Sequence, residues 1–149
     1  MRKIQPQILN PVVISSTLSK IEEPQYLRKM LDTKGYSVAR AVCEWFHYCK
    51  LKTHAKLPSV RNMNLERGID AITKLMSIDG QDINDIILVL NFSLSDNFWK
   101  NNILTVGQLR AKNPEDKIMR YERMLLKVHE NGDLSNDTKP KFDTGLKLL

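Results

Sequence analysis

Only two cysteines occur in the 149 residues, Cys43 and Cys49. Their six-residue spacing on a helix sets the thiols on oblique faces, a poor geometry for a disulfide, so both are expected as reduced thiols. No window approaches the roughly 18 consecutive apolar residues of a membrane span. The Met1-Arg2-Lys3 start lacks the apolar run of a secretory signal. A cytoplasmic protein with no membrane partner is expected. Also missing are the phosphate loop, the Gly-x-Gly-x-x-Gly fingerprint and His-Glu-x-x-His, which excludes ATPase, dinucleotide-binding and zincin chemistry. A self-sufficient helicase or ATP-driven loader would need that phosphate loop.

Metal chemistry is equally thin. Cys43, His47, Cys49 and His54 lie along one helical stretch, whereas structural zinc sites draw ligands from a loop and a helix, so packed thiols are expected. Asp79, Asp82 and Asp85 lack the ligand spacing and closing glutamate of a calcium loop, and helix-end chemistry accounts for them better. No metal and no cofactor is assigned, and the protein is expected not to be an enzyme.

What is present is charge, unevenly placed. The chain carries 23 Lys and Arg against 17 Asp and Glu, a net +6. Residues 1–63 hold 11 basic and 4 acidic groups, residues 64–96 hold 2 and 6, and residues 97–149 hold 10 and 7. An acidic middle between two basic ends suits a molecule that meets DNA on one face and a basic protein surface on another.

With 42% apolar residues the chain can bury one core, and its periodicity is helical. The expected fold is all-α: a compact single-domain bundle of about five to six helices over residues 15–130, an N-terminal arm over 1–14 and a flexible tail over 131–149. Pro24 ends or restarts a short early helix, and Gly35 breaks the next. Val38, Val42, Trp45, Phe46 and Cys49 form the stripe of a central helix from Tyr36 to about Thr53. Asn64 caps a second long helix that closes at Asp79-Gly80, and a third, very apolar helix starts near Asp82. Thr105 and Gln108 make a capping-box signature. Asn113-Pro114-Glu115-Asp116 reads as the start of the last helix, with Ile118, Tyr121, Leu125 and Val128 inward, stopping at Asn131-Gly132.

Two basic constellations stand out. The first interleaves cations with aromatics, with Lys50, Lys52, Lys56 and Arg61 placed to meet phosphates and Tyr48 to stack on a base. Trp45 and Phe46 in the same stretch are read as core. The second comprises Lys100, Arg110, Lys112, Lys117, Arg120, Arg123 and Lys127, near two expected helix N-termini at Thr105 and Asn113 whose free N–H groups would favour an anion. The competing reading of this second set is ion pairing with Glu115, Asp116 and Glu122.

The run Leu57-Pro58-Ser59-Val60, Leu65 to Asp70, Ile78-Asp79-Gly80, Ile83 to Phe92, Asp96-Asn97-Phe98-Trp99, Asn102-Ile103-Leu104 and Leu109-Arg110 resembles, in that order, the C-terminal module of phage replication-initiation proteins of the replisome-organiser and DnaD-like type, over residues 57–125. The resemblance implies an all-helical module that engages DNA, single-stranded or forked, and helps deliver or organise the replicative helicase, as primosome proteins do. By position it carries over Asp96, Phe98, Trp99, Asn102, Ile103, Leu109 and Arg110. Phe98, Ile103 and Leu109 are expected to plug the core, and Trp99, Asn102 and Arg110 to contact DNA or partner.

Such proteins carry an N-terminal winged helix that reads the origin, and the 56 residues before this stretch give no hairpin signal. A helicase-loading or primosome-type accessory factor, from a phage or mobile element, is therefore expected rather than an origin reader. Its partners would be DNA and a replicative helicase or initiator, with an oligomer allowed. The alternative is a protein-interaction module that holds or inhibits a replication enzyme through Asp79, Asp82 and Asp85 and does not touch DNA.

Overall fold

The computed structural model describes residues 12–136, with side chains through 131. Seven helices and two 3-10 turns make up this part, with no strand among the described residues. The chain runs α1 (Ser15–Leu18), α2 (Pro24–Leu31), α3 (Val38–His54), α4 (Pro58–Arg61), α5 (Leu65–Ser77) and α6 (Ile83–Ser95). The 3-10 turns Trp99–Asn101 and Val106–Arg110 lead to α7 (Arg120–Asn136). The all-α expectation holds, and the helices beyond the expected five or six are the single turns α1 and α4.

Local chemistry fixes most of the boundaries. Pro24 opens α2 at its first position, where a missing N–H is harmless. Ser37 Oγ accepts from Arg40 N at 3.1 Å to start α3, and Asn64 Oδ1 accepts from Arg67 N at 3.2 Å to start α5. Gly80, at φ +67°, supplies the left-handed residue after α5, and Asp82 Oδ2 then accepts from Asn84 N at 2.9 Å to open α6.

The core sits where α3, α5 and α6 meet. α3 contributes Val42, Trp45 and Phe46, α5 contributes Ile72 and Leu75, and α6 buries Ile83, Ile86, Ile87 and Leu90. Gly68 permits the closest approach: a Cβ there would lie 3.0 Å from Cys43 Sγ and 3.1 Å from Val106 Cβ, so α5 could not sit so near α3 and the second 3-10 turn with a larger residue. Ile103, Leu109, Tyr121 and Met124 close the other side.

Two carboxamides on α6 hold the segment before α2. Asn84 Oδ1 accepts from Ile14 N at 2.9 Å, and Asn91 Oδ1, two turns on, accepts from Glu22 N at 2.9 Å. The Trp45 indole N–H donates to Glu22 O at 2.8 Å, so the buried ring keeps its polar atom satisfied.

Three expectations change at the C-terminal end. Asn113 does not start a helix: its Oδ1 accepts from Glu115 N at 2.8 Å and Asp116 N at 3.4 Å, closing a turn. Lys117 then takes a left-handed φ of +62°, which no continuing helix tolerates, and an antiparallel bridge joins Lys112 to Met119. α7 starts at Arg120, with Glu122 Oε1 accepting from Met119 N at 2.9 Å. Ile118, in the turn, is consequently exposed rather than core. α7 also runs through Asn131-Gly132 to Asn136, since a helical glycine costs only about 1 kcal/mol and need not end the helix. Most of the arm expected over 1–14, and the last thirteen residues of the tail expected over 131–149, lie outside the described residues.

Candidate nucleic-acid interface

The basic residues separate sharply once their partners are known. Lys50 is fully buried, its ammonium donating to Lys100 O at 2.6 Å, and burial pushes its pKa down to about 8. That removes it from any phosphate, a correction to the sequence reading: position 50 falls on the inner side of α3, beside Cys49. Lys52 pairs with Glu23 at 2.8 Å, and Lys127 lies 3.7 Å from Glu130. Arg110 forms a two-pronged pair with Asp79, Nε to Oδ2 at 2.9 Å and Nη2 to Oδ1 at 3.1 Å, so it clamps the turn after α5 to the second 3-10 turn. Lys56, Arg61, Lys100, Lys112, Lys117 and Arg120 have no carboxylate partner among the described residues.

Aromatic residues are redistributed as well. Tyr48 stacks on Tyr26, with ring centroids 3.8 Å apart and planes 7° from parallel, so one of its faces is already occupied. The Lys52 ammonium lies 5.3 Å from the same ring. Trp99 is half-buried and packs against the core. Phe98, expected inside, is instead 60% exposed. The cause is local: Asp96 Oδ2 accepts from both Phe98 N and Trp99 N at 3.0 Å, starting a tight turn in which neighbouring side chains diverge by about 120°. Only one of the two rings can face inward. Trp99 does, and the two rings meet at right angles, with centroids 4.9 Å apart and planes at 89°. Ile103 and Leu109 are fully buried, as the sequence suggested.

Phe98 borders a groove of about 350 Å³ that Asn102, Lys112, Ile118, Arg120 and Arg123 help to line. Asn102 Nδ2 donates to Phe98 O at 2.6 Å and Arg120 Nη1 to Asn102 O at 3.2 Å, so two hydrogen bonds link the Phe98 main chain, Asn102 and the Arg120 guanidinium. Arg123 pairs with Asp116, whose carboxyl is held below its usual value first by the Ile118 N–H it accepts and then by Arg123. Lys112 and Arg120, with no carboxylate partner among the described residues, place positive charge beside the exposed Phe98 side chain. This combination suits a phosphate backbone with an unstacked base. The helix N-terminus expected at Asn113 is absent from it, and at Thr105 the leading N–H groups of Leu104 and Thr105 already donate to Gln108 Oε1 at 2.7 and 3.1 Å.

The acidic face dissolves in part. Asp79 is taken by Arg110 and Asp82 caps α6, while Asp85 lies 3.7 Å from His129 Nε2. Neither thiol is available: burial first, with neighbouring glutamates adding, pushes Cys43 and Cys49 up to about 12. Among the described residues no three His, Cys, Asp or Glu side chains gather to hold a metal, and no helix is long and apolar enough to cross a membrane.

Fold and groove together define a small all-helical module with a basic, aromatic-edged cleft. The family follows from the sequence comparison. The family model described as phage replication protein O, C-terminal domain, matches residues 41–123, more than half of the chain, and the protein belongs to that family. The match bears out the resemblance to phage replication-initiation proteins and starts earlier than residue 57, taking in most of α3. No curated protein and no solved structure matches the chain.

Proposed function

We propose that this protein is a non-enzymatic DNA-replication accessory module of a phage or mobile element that holds single-stranded or forked DNA in the Phe98 groove and couples it to a replicative helicase or initiator. Membership of a phage replication family supports the setting, in the cytoplasm of the host cell. The observation that carries the DNA-binding half is the exposed Phe98 ring beside the unpaired Lys112 and Arg120. Cations alone attract any polyanion, whereas a solvent-facing ring adjoining them favours unpaired bases.

The rival, a protein-interaction module reading through Asp79, Asp82 and Asp85, is less well supported, because Asp79 is bound to Arg110. Fluorescence anisotropy with labelled single-stranded, duplex and forked DNA at two salt concentrations separates the readings. Binding should weaken as salt rises. Phe98→Ala should weaken single-strand binding by about 1–3 kcal/mol with little change in the salt slope, whereas Arg120→Glu should weaken it and flatten the slope by about one. Absence of binding to all three DNAs at low salt sinks the proposal.

A further inference from the structure

A second groove, of about 540 Å³, lies between α5 and the second 3-10 turn, and it shares no lining residue with the Phe98 groove. The two are neighbours. Asn102 lines the first and Thr105 the second, and Ala111 lines the second and Lys112 the first, so the chain passes from one groove to the other at both ends of the 105–111 segment.

The second groove presents donors. Arg67 is exposed and has no carboxylate partner among the described residues. Asn64 and Gln108 have their carboxamide oxygens committed to main-chain N–H groups, Asn64 to Arg67 N and Gln108 to Leu104 N and Thr105 N. Each amide NH₂ therefore remains to donate elsewhere. Lys74 adds a cation that Asp70, at 2.9 Å, partly neutralises. Gly107 leaves the rim without a side chain, and no aromatic residue borders the space. A site rich in donors suits phosphodiester oxygens, and without an aromatic side chain it offers an unpaired base no ring to stack on.

We infer that this groove is a second nucleic-acid site that takes the phosphate backbone of a duplex arm, while the Phe98 groove takes the unpaired strand emerging from it. The inference rests on the proposed DNA-binding function. The segment Thr105 to Ala111, which lines the second groove and is flanked by Asn102 and Lys112 of the first, then stands near the junction of the two arms, and the molecule prefers a fork over either component alone.

The test uses the full chain with two labelled DNAs, a single strand and a fork carrying the same strand. Arg67 reaches into solvent with no ion pair to lose, so Arg67→Glu and Arg67→Ala should both fold, which circular dichroism checks. Arg67→Glu should weaken fork binding about tenfold and leave single-strand affinity unchanged, with the salt slope for the fork falling by about one. Arg67→Ala should show the same pattern in smaller measure. Unchanged fork affinity overturns the inference, and so does an equal loss on both DNAs, which would make the groove part of a single-strand track. Wild-type protein that binds neither DNA overturns the proposed function itself, and the inference with it.

Discussion

At the scale of single residues, the identity of a side chain says less than the company it keeps. Arg110 and Lys112 are two positions apart, yet one is fastened to Asp79 and the other has no carboxylate partner among the described residues. Arg110 therefore belongs to the fold first. Arg110→Ala and Asp79→Ala are each expected to lower stability by about 1–2 kcal/mol, and the double variant by less than the sum, since two charge-assisted hydrogen bonds are lost only once. Urea midpoints for the cycle check this, and strict additivity would refute the coupling. Phe98 and Trp99 make the same point for aromatics. Adjacent in sequence and both aromatic, they part because Asp96 caps the turn beneath them.

At the scale of elements, the closest packing is set by a residue without a side chain. Gly68 sits inside α5 one turn from its start, where glycine is still unfavourable relative to alanine, so replacing it with alanine would ordinarily stabilise α5 by up to about 1 kcal/mol. Here the added methyl would meet Cys43 Sγ and Val106 Cβ. Gly68→Ala is predicted to destabilise instead, by about 1–3 kcal/mol, because overpacking outweighs helix propensity. Thermal or urea unfolding decides between the two signs. The displacement would also shift the second 3-10 turn, which lines the second groove.

At the scale of the whole molecule, Lys50 links global stability to pH. Its ammonium is buried against a single carbonyl, so the native lysine releases its proton near 8 while the unfolded chain holds it to its ordinary value of 10.5. Across that window the unfolded state binds more protons, and this lysine's contribution to stability rises with pH. Cys43 and Cys49 act oppositely, their raised values making stability fall as pH climbs above the ordinary thiol value of 9.0. The difference between wild type and Lys50→Met isolates the lysine. Wild type should gain on the variant, by on the order of 1–3 kcal/mol, between about 8 and 10.5. A gap independent of pH would show that Lys50 is not buried as a cation.

What the sequence alone determined was local. Asn64, Asp82 and Gly80 announce helix ends because a cap needs only the next two or three N–H groups or one left-handed residue, and the Val42, Trp45 and Phe46 stripe announces a buried face because helical period is a property of neighbours. The ordered run from Leu57 to Arg110 was enough to point to the phage replication family. The site was less legible. Spacing names Lys112 and Arg120 among the basic candidates without separating them from Arg110, whose cluster it leaves between phosphate contact and ion pairing; it places Phe98 inside, does not single out Arg67, and offers the buried Lys50 as a phosphate contact. The Lys50, Arg110 and Phe98 outcomes turn on a contact made across the fold or on how a tight turn divides two neighbours: Lys50 with Lys100, Arg110 with Asp79, Phe98 against Trp99. A cation's availability depends on which acceptors the tertiary structure brings within about 3 Å, and no spacing along the chain fixes that.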